Sequence, residues 1–350
     1  MFTFKNSSLP QPHPSFPQPH PSFPRRRESS ARTFRLAATL LALCLSTPHA
    51  LAYPDRLVTL IVPFTPGSGS DIIARIVAPK LSERWKQPVI VDNKPGASGN
   101  IGVEAAAKAA PDGHTLLMAI NSMTMAPHLY KRVPFDVTTD FAPIMKLAVA
   151  NFALVVNPAV PANDLHTLIA LAKSKPGQIN FGSPGNGTPH HLGMELLKQQ
   201  QGFDMLHVPY KGISNATTDL IGGQVQVMFA SFHSMLPQVK AGKLRMLAVT
   251  GGARSPLLPS VPTFKESGIA LMDTVDAWYA VLAPVKTAPD KIAQLHADFQ
   301  AVLALPEVRE QMEKQGLTIQ ISSPEQLGSL VQSDMARWKK TVQDANLKIE

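Results

Sequence analysis

Residues 57–75 read LVTLIVPFTPGSGSDIIAR, and this stretch decides the fold class. The apolar run at 57–62 has the length and composition of a buried strand, and Pro63 breaks it. A turn follows through Gly67, Ser68, Gly69 and Ser70, and Asp71 opens an amphipathic run with Ile72, Ile73, Ile76 and Val77 at helical spacing. A strand, a Gly-rich turn and a helix start place free backbone N–H groups and the positive end of a helix dipole around one point. That arrangement suits a carboxylate or a phosphate. A structural turn that binds nothing is the other reading of the segment taken alone.

Three nucleotide and catalytic signatures fail on the residues. A P-loop needs G-x-x-x-x-G-K-[ST], and no Lys follows these glycines. A dinucleotide fingerprint needs G-x-G-x-x-G, and Ile72 stands at the third glycine, although a second strand ends at Asp92 at the right distance. No serine has the G-x-S-x-G frame of a nucleophile elbow.

Outward from this stretch, strand-like runs alternate with helix-like runs. Strands are expected at 57–62, 88–91, 115–119, 144–149, 152–156, 179–182, 205–208, 225–229, 244–249 and 278–282, with helices between and after them. Alternation of this kind predicts an α/β protein with mainly parallel sheets flanked by helices. Pro-rich joints at 157–161 and 257–262 divide the middle of the chain. One lobe is expected over 53–152 plus 277–350 and a second over 153–276, and two crossings between two lobes make a hinged cleft that suits a small ligand.

Residues 179–197, INFGSPGNGTPHHLGMELL, repeat the opening architecture in the second lobe. A short strand runs into Ser183, Gly185, Asn186, Gly187 and Thr188, then into a helix carrying His190, His191, Leu192 and Leu196. If the lobes face each other, the two helix N-termini converge on one anion.

The N-terminal segment gives the compartment. Arg25, Arg26, Arg27, Arg32 and Arg35 precede a short apolar core at 36–45, and Ala50-Leu51-Ala52 fits a cleavage site before Tyr53. The apolar core is shorter than the ~20 residues a membrane helix needs. Upstream, QPHPSFP occurs twice in tandem (11–17 and 18–24), a low-complexity extension that packs no core. Removing 1–52 takes away Lys5, five Arg and Glu28, leaving 27 basic and 24 acidic residues and a charge of +3 in place of +8. No basic run survives to suggest nucleic acid. The only cysteine, Cys44, leaves with the leader, so stability comes from core burial.

The chain resembles the periplasmic solute receptors of tripartite tricarboxylate transporters, also called the Bordetella uptake gene receptors. The likeness covers 53–350 and is carried by PFTPGSGSDIIAR (63–75), VDNKPGASGNIG (91–102), APDGHTLL (110–117), PFDVTTDFAPI (134–144), NFGSPGNGTPHHL (180–192), HVPYKG (207–212), DLIGGQVQVMF (219–229), KAGKLRMLAVT (240–250) and LPSVPTFKESG (258–268). The resemblance implies a two-lobed periplasmic binding protein that holds a carboxylated solute through two loops, here 63–71 and 183–191, partly by way of bridging waters. It further implies delivery of the ligand to membrane permease subunits, a monomer, no cofactor and no catalysis. Two departures bear on the ligand. Ser68 stands where the family usually has a second glycine, and Ala280 follows Trp278-Tyr279 where a glycine is usual. Asp276, just before that pair, is either a partner for a ligand amine or an exposed strand-start residue.

Ser68, Ser70, Ser183 and Thr188 are the expected direct donors, with Thr65, Gly67, Gly69, Gly185 and Gly187 shaping the two turns. Asp71 cannot meet an anion while ionised, so its role is to cap its helix and position the turn N–H groups, or to hold a bridging water. Asn121 and Ser122 end the strand at 115–119 and point into the cleft if that strand is central. Phe64 packs on the ligand's carbon skeleton or in the core. His191 either donates to the carboxylate or is a helix N-terminal histidine satisfied by backbone, while His190 is expected in solvent. Adjacent helical histidines with no accompanying carboxylate or cysteine make no metal site. Two other classes stay open on these residues: an exported hydrolase pairing Ser183 or Ser68 with His191, and a binding module that signals to a sensor kinase.

Overall fold

The computed structural model describes residues 53–269, 272 and 275–344, and the leader and repeat expected over 1–52 lie outside them. The chain begins with β1 (Val58–Val62), α1 (Gly69–Trp85), β2 (Val89–Asn93), α2 (Asn100–Ala107), β3 (Thr115–Ile120) and the short α3 (Ser122–Met125). Next come β4 (Phe141–Val156), α4 (Leu165–Ser174), β5 (Asn180–Ser183), α5 (Pro189–Gln201) and β6 (Leu206–Pro209). Then follow α6 (Ile213–Ile221), β7 (Val227–Ser231), α7 (Phe232–Lys240) and β8 (Arg245–Val249). The chain returns through β9 (Asp276–Pro284), α8 (Pro289–Ala304), α9 (Pro306–Lys314), β10 (Leu317–Ile319) and α10 (Pro324–Asp344).

Two sheets share the 16-residue β4. From Phe141 to Asn151 it pairs antiparallel with β9. From Phe152 to Val156 it pairs with β7 on one side, and from Ala153 to Val156 with β8 on the other. The first lobe is therefore the sheet β2-β1-β3-β9-β4 with β10 on the far edge of β4, and the second is β4-β7-β5-β6 with β8 opposite. Parallel pairing holds for β1 with β2 and β3, and for β5 with β6 and β7. The strands that pass between lobes and back run antiparallel, because the chain leaves along β4 and returns along β9. Where the sequence predicts separate strands at 144–149 and 152–156, one strand runs through. Asn151 interrupts the apolar pattern, yet the ladder continues because Asn151 pairs with Asp276 and the Phe152 N–H donates to Thr250 Oγ1 at 2.8 Å. The three-residue β10 has no counterpart among the predicted strands, because its sequence, LTI, carries too little apolar pattern to show.

The side chain at the switch between sheets is Phe152, which is fully buried. It stacks on Phe229 of β7 with ring centroids 4.9 Å apart and meets His190 of α5 edge-on at 5.0 Å. Truncating it leaves a cavity where both sheets meet. Phe152→Ala is expected to cost about 3–5 kcal/mol, read in urea unfolding as a lower midpoint at unchanged slope. A loss under about 1 kcal/mol, the size of a surface substitution, would show that the junction is not packed as described.

Candidate functional site

The helix starts after β1 and β5 are built alike. In α1, Ser68 is the N-cap and its Oγ accepts from the Asp71 N–H at 3.4 Å. Asp71, at the third helical position, reaches back to accept the Gly67 N–H at 2.9 Å, a capping-box arrangement shifted by one residue. Gly67 has φ +82, a conformation that favours glycine. In α5, Thr188 is the N-cap and accepts from the His191 N–H, and His191 Nδ1 accepts the Gly187 N–H at 3.1 Å. Gly187 has φ +71. Thus Gly67, Ser68, Gly69, Ser70 and Asp71 correspond in order to Gly187, Thr188, Pro189, His190 and His191. The third helical residue holds its own turn, and the second, Ser70 or His190, faces the space between the turns.

That space is a cavity of about 20 Å³, enough for about one water. Ser68, Gly69 and Ser70 line it from α1, Pro189 and His190 from α5, Ser231 and Ser234 from the start of α7, and Ile213 from the start of α6. Four helix N-termini therefore point at one place, each with first-turn amides that have no partner inside the helix. Phe64, Ile120, Pro184 and Tyr279 complete the wall, and none of the lining residues is Asp, Glu, Lys or Arg. Ser70 Oγ and Tyr279 Oη find no hydrogen-bond partner there. Burial pushes the Tyr279 phenol up, well above its ordinary value, so it is a donor.

Contacts between the lobes seal this cavity. Ser214 Oγ donates to the Pro66 carbonyl at 2.9 Å, Ser234 Oγ to the Gly67 carbonyl at 3.4 Å, and Tyr130 Oη to the Asn186 carbonyl at 2.6 Å. Two glycines allow the approach: a Cβ on Gly212 would overlap the Thr65 side chain, and one on Gly185 would stand 2.5 Å from Ser98 Oγ.

The predicted residues divide between lining, rim and support. Phe64, Ser68, Gly69 and Ser70 line the cavity. Thr65, Gly67 and Gly185 make the rim contacts just described, and Gly187 and Thr188 shape the second turn. Asp71 supports the first turn: burial alone would raise its carboxyl, but hydrogen bonds from Arg75, the Gly67 N–H and Asn93 hold it below its ordinary value. His191 is satisfied by the Gly187 backbone and stacks on His207 at 3.9 Å between centroids. Ser183 Oγ is fully buried and pairs with His207 Nε2 at 2.7 Å, so it faces neither the cavity nor His191. Asn121 Nδ2 donates to the Asp276 carbonyl at 2.8 Å, tying β3 to β9, and Ser122 is buried at the start of α3. Asp276 lies on the opposite face of β9 from Tyr279, beside Lys146, Asp334 and Arg337 in a separate cleft, where burial raises its carboxyl.

His190 corrects the expectation of a solvated side chain. It is 7% exposed and lines the cavity, because the Thr188 cap fixes it at the helical position equivalent to Ser70. Aligning the two turns on their Gly-Ser/Thr pairs would have found it. Alternation along β9 would have chosen Tyr279 over Asp276. Ser231 and Ser234 left no comparable signal, since β7 passes into α7 without a glycine turn.

Comparison with known proteins gives one family. Residues 73–347 match the profile of the tripartite tricarboxylate transporter family receptor. Protein BugT of Bordetella pertussis is 35% identical over 300 residues, covering 85% of this chain and 92% of BugT. Among solved structures, an R. palustris protein with adipate is 32% identical with a TM-score of 0.82, covering 85% of this chain and 99% of its own. MatC from Rhodopseudomonas palustris with bound malate is 28% identical with a TM-score of 0.79, covering 83% and 100%.

Three buried histidines and the half-buried His207 contribute to acid sensitivity. Burial lowers His190 to about 3, His191 to about 4, His207 to about 3 and His233 to about 4. An unfolded histidine titrates near 6.5, so below that pH the unfolded chain binds protons that the native state refuses. Stability is fully present above about pH 6.5 and is lost as pH falls toward 4, by as much as ~1.4 kcal/mol per pH unit for each histidine. Thermal melts of the ligand-free protein at pH 7, 6, 5 and 4.5 should show a steepening fall, and a flat profile would contradict neutral burial.

Proposed function

The chain belongs to the tripartite tricarboxylate transporter receptor family of periplasmic solute-binding proteins, and from that premise we propose that it is an exported, monomeric receptor for a small organic carboxylate. The observation that supports this most is the convergence of four helix N-termini and several neutral hydroxyls on a cavity whose lining holds no Asp, Glu, Lys or Arg. Amide and hydroxyl donors answer a single negative charge, whereas phosphate sites ordinarily add Arg or Lys for the second. Phe64, Ile120 and Ile213 offer an apolar wall for the carbon skeleton. Adipate and malate, bound by two relatives of the same fold, are small organic acids whose two charges sit on separate carboxylates, so that each carboxylate presents a single charge. The cavity is too small for either in the closed form, so the ligand enters with the lobes apart and β4 and β9 flex as they close. The closed pair of lobes then presents one continuous face to the membrane permease. Among the described residues no helix is long and apolar enough to cross a membrane.

A thermal-shift panel of malate, succinate, adipate, benzoate and amino acids tests the ligand class, with inorganic phosphate and a neutral sugar as controls. An acid at 100 times its Kd should stabilise by ~2.7 kcal/mol. A shift with phosphate or sugar alone would overturn the carboxylate reading.

Closure has its own test in Gly212→Ala. The backbone there is extended, which any residue adopts, so the new methyl meets Thr65 across the cleft as its nearest neighbour. The ligand-free melting temperature should hold while affinity for the best acid of the panel falls about tenfold or more, the scale of a 1–3 kcal/mol overpacking cost. Unchanged affinity would mean that the lobes do not close on the ligand as they do here.

A further inference from the structure

The polar atoms left unpaired at the cavity are not only hydroxyls. His190 Nδ1, in the lining, and both ring nitrogens of His233, which stands just behind the lining against Tyr279, are buried without a hydrogen-bond partner, alongside Ser70 Oγ and Tyr279 Oη. Native interiors leave few such atoms, and a cluster of them in one place calls for a group that fills it. His233 is 1% exposed and its ring meets Tyr279 edge-on, with centroids 5.9 Å apart. Gly69 forms the third side: a Cβ there would overlap Tyr279 Oη and stand 2.6 Å from His233 Nε2. His190 has one weak polar contact, Nε2 to Ser231 Oγ at 3.2 Å. The two rings come from α5 and α7, the phenol from β9 and the hydroxyl of Ser70 from α1, so the cluster is complete only when the lobes are closed.

Among the described residues no carboxylate pairs with these rings. On α1, Asp71 is taken by Arg75. On α5, Glu195 stands with Lys198 and His191. Lys146 of β4 and Asp276 of β9 face the separate cleft behind the hinge. β7 has no ionisable side chain, and Lys240 is at the far end of α7. Burial accordingly keeps both rings neutral in the ligand-free protein, and a charge on His233 would further oppose one on His190.

We propose that His190 and His233 are the specificity-determining pair of this site: as the lobes close on an acid, one ring takes up a proton from solvent and donates a charge-assisted hydrogen bond to the ligand carboxylate. The proposal rests on the carboxylate reading given above. Tyr279 and Ser70 donate to the same group. The carboxylate stays anionic and the imidazole becomes imidazolium, so one proton enters per ligand. Repulsion between two buried charges opposes a second. The site thereby selects acids over their amides and binds them more tightly as pH falls.

Calorimetry with adipate and malate as probes, at pH 7 in phosphate and in Tris, reads proton uptake from the difference in apparent enthalpy. Uptake approaching one proton is expected, with Kd tightening by as much as tenfold per pH unit between pH 8 and 6. The double variant His190→Gln/His233→Gln keeps polar side chains that cannot charge, and should lose both the uptake and the pH slope with circular dichroism unchanged. Binding by the wild type with no proton exchange and a pH-independent Kd would overturn the proposal and leave a carboxylate receptor standing. Wild-type uptake retained in the double variant would overturn it as well. Failure of both acids to bind at pH 6 would remove it too, while the thermal-shift panel decides the carboxylate reading separately.

Discussion

The two lobes and the cavity between them are placed by the sharing of one strand between two sheets. β4 meets β9 through Asn151 and then β7 and β8 from Phe152 onward, so its backbone hydrogen bonds are satisfied in one lobe and then in the other. A buried strand cannot leave its N–H and C=O groups unpaired without cost, and this fixes where each sheet begins. The strands β1, β5 and β7 then end toward the same space, and the helices that follow them start there. The cavity is a consequence of that pairing.

In the ligand-free protein the cavity's electrostatics come from partial charges. Helix N-termini contribute donors that are already oriented and cost nothing to reorganise, and the capping pattern keeps them so. Asp71 and His191 differ in charge and chemistry, yet each sits at the third helical position and ties down the N–H of the glycine before the cap. Full charges are kept at a distance: Asp71 is neutralised by Arg75, and Asp276, Lys146, Asp334 and Arg337 gather behind the hinge. A pocket of neutral donors and apolar wall stays selective because a poorly fitting ligand leaves buried polar atoms unpaired.

Much of the site was legible locally, because capping chemistry is local. The turn at Gly67-Ser68 and its counterpart at Gly187-Thr188 announce themselves through glycine, cap residue and helical spacing, and Phe64, Ser68 and Ser70 follow from position. The side chain's surroundings are not legible where the deciding partner is remote in sequence. Ser183 looks like a donor in its loop, but His207 takes it. His191 and His190 are neighbours, and only the helix phase set by Thr188 says which one faces the cavity. Asp276 and Tyr279 lie three residues apart on one strand, and strand alternation sends them to opposite faces.

The sequence by itself determined the α/β class, the two glycine turns with their helix starts, and the family through many ordered motifs. These are set by periodicity, turn stereochemistry and capping, all of which act within a few residues. Only the tertiary structure decided that β4 is one strand serving two sheets, that Ser231, Ser234 and Tyr279 line the cavity, and which polar atoms remain unpaired. Those depend on which segments lie side by side after folding, and burial and hydrogen-bond satisfaction are properties of that arrangement.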